Sequence, residues 1–351
     1  MDSNFEQERQ RYIDEGFTVV RVAAEHKEMY SILLDGNVIH AEITGRLMFA
    51  AESRKDFPAV GDWVAVQQYE NSNAIIHNIL PRKTCIVRKA SGKEFTEQII
   101  AANIDIVFII QSLDHNYNIR RLERFLVVAK ESGAVPVVLL SKTDLITDDE
   151  LKSRINEVNA ISPGIRTIAY SAKTLSHIDE IKHLISANTT VCFVGSSGVG
   201  KSTLINRLVG KELLETNEVR EEDSRGRHTT THRQLIPLDE GGFVIDTPGM
   251  RELGLWDVSG SIDEIFPEIA ALAVECKFSD CTHIHEPDCG VQRAMQEGRL
   301  EEKRYESYIK LKKEAEYVAS KTDIAKQQER KAKEKLLGRA IKNFMKKDKR
   351  K

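Results

Sequence analysis

From residue 17 to residue 80 the apolar positions come in short runs, FTVVRV, MYSILL, NVIHAEITGRLMF, DWVAV and AIIHNIL, cut by turn signals at Asp35-Gly36, Pro58 and Gly61-Asp62. Runs of this length and β-branched content predict strands. About five of them in some 65 residues suit a small barrel, the oligonucleotide-binding (OB) barrel being one candidate and a generic β-barrel the other. Ahead of them MDSNFEQERQRYIDEGF is a polar, acidic lead-in, and after them PRKTCIVRK (81–89) reads as a short basic linker. From residue 104 the pattern changes. IDIVFII and VPVVLLS are unbroken apolar runs, as strands covered on both faces require, and the helix-patterned RRLERFLVVAKESG lies between them. IRTIAYS, TVCFVG, HRQLIPL and FVIDTPG add four more strands, and this alternation predicts a doubly wound α/β domain. Beyond Gly260 come a cysteine cluster and a long, charge-rich helical end.

The pattern divides the chain into domains at 1–90, 91–258 and 259–351, in keeping with 351 residues being too many for one core. A content of 41% hydrophobic and 30% charged residues is that of a soluble globular protein. No apolar run approaches the roughly 18 residues of a membrane span, and the N-terminus has neither the basic start nor the apolar stretch of a secretory signal. The chain is therefore expected to be cytoplasmic, with no membrane partner. Five cysteines, an odd number, argue against a disulfide framework. The net charge of -3 conceals an asymmetry: residues 326–351 hold 12 Lys or Arg against Glu329, Glu334 and Asp348, a net of +9, which leaves -12 on the rest. Within that tail Leu337, Ala340, Ile341, Phe344 and Met345 recur at helical spacing, giving a basic amphipathic helix suited to RNA backbone, a protein groove or a membrane surface.

Gly195-Ser196-Ser197-Gly198-Val199-Gly200-Lys201-Ser202-Thr203 carries the P-loop pattern between an apolar strand and a helical segment, the context in which that pattern binds phosphate. Its glycines let backbone N–H groups converge on an anion, Lys201 reaches the β and γ phosphates, and the Ser202 hydroxyl is a Mg²⁺ ligand. Asp246 ends the strand GFVID, where the Walker B aspartate that holds Mg²⁺, commonly through water, belongs, and the Gly249 N–H of DTPG is placed to sense the γ phosphate. Between the two lies RGRHTTTH (225–232), whose Thr230, with Thr229 as runner-up, is expected to complete the Mg²⁺ shell. Met250 follows DTPG and cannot orient water. His228 is the nearest polar side chain able to do so, acting once a partner orders its loop.

SKTD (Ser141, Lys142, Thr143, Asp144) ends the strand VPVVLL, where a base-reading loop sits. The Asp144 carboxylate accepts from N1–H and the exocyclic amine of guanine, a pair adenine does not offer, while the Lys142 stem packs along the base. On the next strand, Ser171 and Ala172 of YSAK form a second base loop, with the Ala172 N–H directed to guanine O6. The order is unusual: the base reader precedes the phosphate loop by 54 residues, as if an ordinary GTPase had been cut after DTPG and its old ends joined. Permutation preserves the site because the contacts survive.

With GSSGVGKST, GRHTTT, DTPGMRE and its cysteine pattern, the chain resembles the ribosome small subunit-dependent GTPase A family of bacteria, the RsgA/YjeQ-like circularly permuted GTPases. The resemblance spans nearly the whole chain. It implies an N-terminal OB barrel that binds RNA, a permuted P-loop GTPase domain and a C-terminal zinc domain. It also implies GTP hydrolysis stimulated by the small ribosomal subunit and its rRNA, during late maturation of that subunit, by a chain expected to be monomeric. The basic tail is accordingly assigned to rRNA. The chain departs from the family at Ser141, where asparagine is usual; a serine hydroxyl is shorter and has one donor, so GTP affinity is what this change touches. Two other readings stand beside it: an RNA-docking assembly factor that holds nucleotide with little hydrolysis, and an ATP-using P-loop enzyme, against which Asp144 speaks.

Cys276-x4-Cys281-x-His283-x5-Cys289 offers three thiolates and one imidazole, a closed tetrahedral set that reads as structural Zn²⁺, one per chain, and matches the family pattern. His285 competes for the imidazole position. Cys85 and Cys192 have no such neighbours and read as packing residues.

Overall fold

The structure is a computed structural model that describes residues 3–26, 29–69, 73–89, 97–211, 233–246, 259–321 and 324. Helix α1 (Ser3–Asp14) precedes the barrel strands β1 (Thr18–His26), β2 (Met29–Leu34) and β3 (Asn37–Ile43), a short helix α2 (Gly45–Ala50), and β4 (Trp63–Tyr69) and β5 (Asn73–Ile79). The order β1-β2-β3-β5-β4 closes through a further β1–β4 ladder, so the five strands form a barrel. Alternate residues, among them Val22, Ile32, Val64, Val66 and Ile76, fill its interior. Strand β3 stops short of the predicted run because Thr44 caps α2, its hydroxyl accepting from Leu47 N–H at 3.2 Å. The polar lead-in is a helix whose buried Phe5 and Tyr12 pack with Ala65 and Leu80 on the barrel.

Residues 81–89, expected to be a linker, instead contain β6 (Cys85–Lys89), paired antiparallel with β7 (Glu97–Ala102). A division at residue 90 therefore falls between two paired strands. The hairpin is bonded on both sides, to the barrel and to the α/β unit: Ala102 N–H donates to Val60 O at 2.9 Å and Cys85 N–H to Ser132 O at 3.1 Å.

That second unit runs β8 (Ile106–Ser112), α3 (Ile119–Glu131), β9 (Val135–Ser141), α4 (Asp148–Ile161), β10 (Thr167–Tyr170), α5 (Ile178–Leu184), β11 (Thr190–Gly195), α6 (Lys201–Val209), β12 (Gln234–Pro237) and β13 (Phe243–Asp246). In space the strands lie β10-β9-β8-β11-β13-β12, all parallel except β12, which is antiparallel to β13. Strand β11, which feeds the P-loop, is thus central, with β8, β9 and β10 on one side and β13 and β12 on the other. The sheet is apolar on both faces. One face packs on α5 and α6 through Phe108, Leu139, Phe193 and Leu204. The other packs on α3 and α4 and on the C-terminal helices α7 (Ser259–Ile265), α8 (Pro267–Ala273), α9 (Gly290–Gln296) and α10 (302–321), in one core that includes Leu126, Val194, Phe266, Val291 and Leu311.

Barrel and α/β sheet are continuous, since Ala24 of β1 pairs with Gln234 of β12. At the seam Arg21 is buried between the Trp63 and Phe243 rings, 5.0 and 5.5 Å from their centroids, and donates to Thr190 Oγ1 at 3.2 Å. Its Nε and Nη2 have no hydrogen-bond partner among the described residues. Burial pulls its pKa down to about 10, against the pull of Asp105 and Asp62.

Candidate nucleotide site and metal cluster

Because β8, β9, β10 and β11 are parallel, the segments after them emerge along one edge of the sheet, as a doubly wound fold places a ligand site. Gly195 ends β11 against its neighbour: a Cβ there would lie 2.7 Å from Ile110 O, so no larger residue fits. Gly198 and Gly200 turn the loop with φ of +77° and +95°, values that glycine adopts without strain. Gly200 caps α6, which presents its N-terminal N–H groups to the loop. Lys201 begins that helix and folds its ammonium back over the loop, donating to Gly195 O at 3.0 Å and Ser196 O at 3.3 Å. Ser202 and Thr203 come next in the first turn, half-buried. Asp246 ends β13, beside β11, so the fold brings the aspartate strand next to the phosphate-loop strand. His228, Thr229, Thr230, Gly249 and Met250, like the basic tail, lie outside the described residues.

The two segments expected from the sequence to read the base meet the same edge. Buried Ser141 ends β9, and its Oγ donates to the Val199 carbonyl of the P-loop at 2.7 Å. The single donor of the serine thus ties β9 to the phosphate loop. Lys142 takes a left-handed φ of +64°, a conformation that costs a non-glycine residue about 1 kcal/mol and tends to persist at functional sites. A short 3₁₀ turn then leaves Asp144 exposed, with its Oδ1 receiving the Ser171 hydroxyl at 2.5 Å. The Ser171 Oγ also accepts from Lys173 and Thr174 N–H, both at 3.2 Å, which fixes the second base loop around Ala172. The first and second base loops are therefore joined to each other, and the first is joined to the P-loop.

Sequence reading missed the loop after β8. There Asp114 forms an ion pair with Lys142 at 2.7 Å, and Asn116 donates to Ser196 Oγ at 3.2 Å and Ser197 O at 3.1 Å. Burial works to raise the Asp114 pKa, but hydrogen bonds from Lys142, Ser112 and the Asn116 N–H, with the lysine charge, hold it down at about 2. A signal is present in the chain: Ser112, Asp114 and Asn116 are polar side chains at the carboxyl end of a buried strand beside the P-loop strand.

Cys276, Cys281, His283 and Cys289 come together, their ligand atoms all within 4.8 Å of one another. Cys276 Sγ lies 3.5 Å from His283 Nδ1 and 3.7 Å from Cys289 Sγ, spacings that suit ligands around one ion of about 2.0–2.3 Å bond length. The Nδ1 atom faces the thiols, and burial lowers the His283 pKa, favouring the neutral ring that donates a lone pair. The His283 carbonyl is fixed from behind by Gln292 Nε2 at 2.5 Å and Tyr305 OH at 2.7 Å. His285 is exposed and outside the cluster. Three soft thiols and one imidazole fit Zn²⁺ and leave no open position. Cys192 is buried in the sheet core and Cys85 lies half-buried on β6, its thiol pKa raised by burial.

The RsgA GTPase family model matches residues 79–256, and a model described as 50S ribosome-binding GTPase matches residues 190–342. A Lactiplantibacillus plantarum protein named small ribosomal subunit biogenesis GTPase RsgA 2 is 45% identical over 304 residues, 87% of this chain and 85% of its own. A small ribosomal subunit biogenesis GTPase RsgA of Leptospira interrogans is 40% identical over 335 residues, 95% of this chain and 92% of its own. Among solved structures, YjeQ from Thermotoga maritima is similar with a TM-score of 0.62 and 28% identity, over 85% of this chain and 98% of that one. YloQ, described as a circularly permuted GTPase, shares the fold with a TM-score of 0.59 and 23% identity, over 86% and 95%. Fold and motif order are those of a circularly permuted P-loop GTPase, an enzyme that hydrolyses GTP. The chain belongs to the RsgA GTPase family.

Proposed function

We propose that this GTPase acts in the biogenesis of the small ribosomal subunit, binding its rRNA and hydrolysing GTP with Mg²⁺ when that subunit is engaged. The observation that carries the nucleotide half is the bonding of Ser141 to the P-loop and of Ser171 to Asp144, which brings the segments we read as guanine reader and phosphate loop to one edge in permuted order. The ribosomal half rests on the relatives, whose names specify the small subunit over 87% and 95% of this chain. The description naming the large subunit matches only from residue 190 onward, which omits the barrel and the base-reading strands.

In this reading Asp144, Lys142, Ser171 and Ala172 select guanine, and residues 195–203 hold the phosphates. Ser202, Asp246 and Thr230 would hold Mg²⁺, which neutralises charge developing on the phosphates. Lys201 stabilises the same charge, the Gly249 N–H senses the γ phosphate, and His228 orients water once the subunit orders its loop. Cys276, Cys281, His283 and Cys289 would hold one structural Zn²⁺, which supplies folding energy to the C-terminal region and takes no part in hydrolysis. The barrel and the basic tail contact rRNA, and the protein works as a cytoplasmic monomer. Among the described residues no helix is long and apolar enough to cross a membrane.

GTP turnover measured with and without purified small subunits tests this. Stimulation of at least about tenfold is expected; an unchanged rate at saturating subunit removes the ribosomal assignment. His228→Ala should keep GTP and subunit binding and lose most of the stimulation. If stimulated turnover stays within about threefold, under roughly 0.7 kcal/mol of transition-state stabilisation, the water-orienting role passes to another group.

A further inference from the structure

We propose that the loop between β8 and α3 is a positioning element of the nucleotide site, in which Asp114 and Asn116 clamp the guanine reader to the phosphate loop. The proposal rests on reading residues 141–144 as that reader.

Lys142 is a long, flexible side chain on a left-handed backbone, and its stem lies along a purine only if its ammonium is held. Asp114 holds it, and is itself held. Its Oδ1 accepts from Ser112 Oγ at 2.7 Å and from Asn116 N–H at 2.9 Å, which leaves Oδ2 directed at Lys142 Nζ, 2.7 Å away. Asn116 is equally constrained. Its Nδ2 donates to Ser196 Oγ and Ser197 O, while its Oδ1 accepts from Arg121 Nη2 at 2.9 Å, so a flipped amide would lose its bonds to the Ser197 carbonyl and to Arg121. Arg121 also donates to the Asn116 carbonyl, and Asn118 caps α3 by accepting from Arg121 N–H at 3.0 Å. The loop is therefore anchored to the start of α3 at one end and to β8 at the other.

The result is a second tether between base reader and phosphate loop, separate from the Ser141–Val199 bond. One tether fixes the end of β9 against the middle of the P-loop; the other fixes the Lys142 head against residues 196–197. Two fixed points set the distance and angle between the base and phosphate sub-sites. Such preorganisation appears as affinity for a ligand that bridges both sub-sites. Residues 196–197 belong to the phosphate loop and not to the threonine segment, so GDP and GTP should depend on the clamp alike. ADP, whose base finds no partner in Asp144, should depend on it little.

The test titrates the full-length protein with fluorescent GDP and ADP. Asp114→Ala, Asp114→Asn and Lys142→Ala are each expected to weaken GDP about tenfold or more, the scale of a lost charge-assisted hydrogen bond. Combining Asp114→Ala with Lys142→Ala should add less than about twofold to the larger single loss, since both remove one interaction. ADP binding should stay within about twofold for both Asp114 variants. A purely structural role for Asp114 in its turn would instead give losses that multiply in the double variant, and that outcome overturns the clamp. So would GDP binding within twofold of the unmodified protein for both Asp114 variants. Should the Asp114 variants not fold, Asn116→Ala tests the other end: a loss of at least about threefold for GDP supports the clamp, and none overturns it. Equal binding of GDP and ADP by the unmodified protein would defeat the guanine reading itself; intact discrimination with an inert Asp114 defeats only the clamp.

Discussion

Ser141 gives its one proton to Val199 O, a buried acceptor, and so does at the P-loop what a carboxamide would do, leaving nothing for the base. Removing the hydroxyl would strand that carbonyl. Ser141→Ala is therefore expected to lower the unfolding free energy by about 1–3 kcal/mol and to weaken GTP and GDP alike, with base discrimination intact. Urea unfolding and nucleotide titration check the two effects separately. In the proposed reading discrimination rests on Asp144, and Asp144→Ala should bring GTP and ATP to equal affinity in a competition assay. Asp114 supplies a pH test. Its pKa of about 2 lies below the roughly 3.9 of an unfolded chain, so its contribution is fully present above pH 4 and is lost as pH falls through about 2. Replacing it by asparagine should remove that share, giving a shallower loss of stability between pH 4 and pH 2 than the parent shows.

Elements with long apolar runs are legible in the sequence and those held by tertiary contacts are not. Strands β8, β9 and β11 announce themselves because both faces are covered and their central positions are an unbroken apolar run, polar residues such as Gln111, Ser112, Ser141 and Thr190 falling only at the ends. Helix α1 does not, since only Phe5 and Tyr12 of its 12 residues reach the barrel core and the rest obey solvent. Hairpin β6–β7 is hidden by its charged ends, Arg88 and Lys89 facing Gln98 and Glu97, which read as linker chemistry. Helix α3 is plain from its periodicity, but its ionic underside is not. There Glu123, fully buried, accepts from Arg304 of α10 at 2.7 Å and from Ser307, while Arg304 also reaches Glu268 Oε1 and the Ile265 carbonyl, both at 2.6 Å. No spacing rule links positions 123 and 304. Glu123→Ala leaves the buried Arg304 with Glu268 as its remaining carboxylate, so it should cost about 2–3 kcal/mol in chemical denaturation. Replacing both by apolar residues of similar size should recover much of it.

At the scale of the molecule, the helices flanking the cysteine cluster share one core with the GTPase sheet: Phe266, Val291 and Tyr308 belong to the same cluster as Leu122, Phe125 and Leu126. Loss of the metal-binding set should therefore be felt beyond the C-terminal region. Purified protein is expected to carry about one zinc per chain, and Cys281→Ser should abolish it. In hydrogen exchange this variant should lose protection first in α8 and α9 and then on the outer side of α3, while β11 and α6 stay protected. Zinc retained after removing Cys276 and Cys289 together would refute the assignment. The seam at Arg21 bears on any attempt to shorten the protein. A chain begun at residue 81 would keep Thr190, Phe243 and the free edge of β12 but lose the arginine, the tryptophan and the strand that cover them. What had been a covered strand edge would become a bare template for pairing between molecules, and the trimmed enzyme should associate or precipitate. Anyone wanting the catalytic unit by itself would first have to repaint that edge with charge.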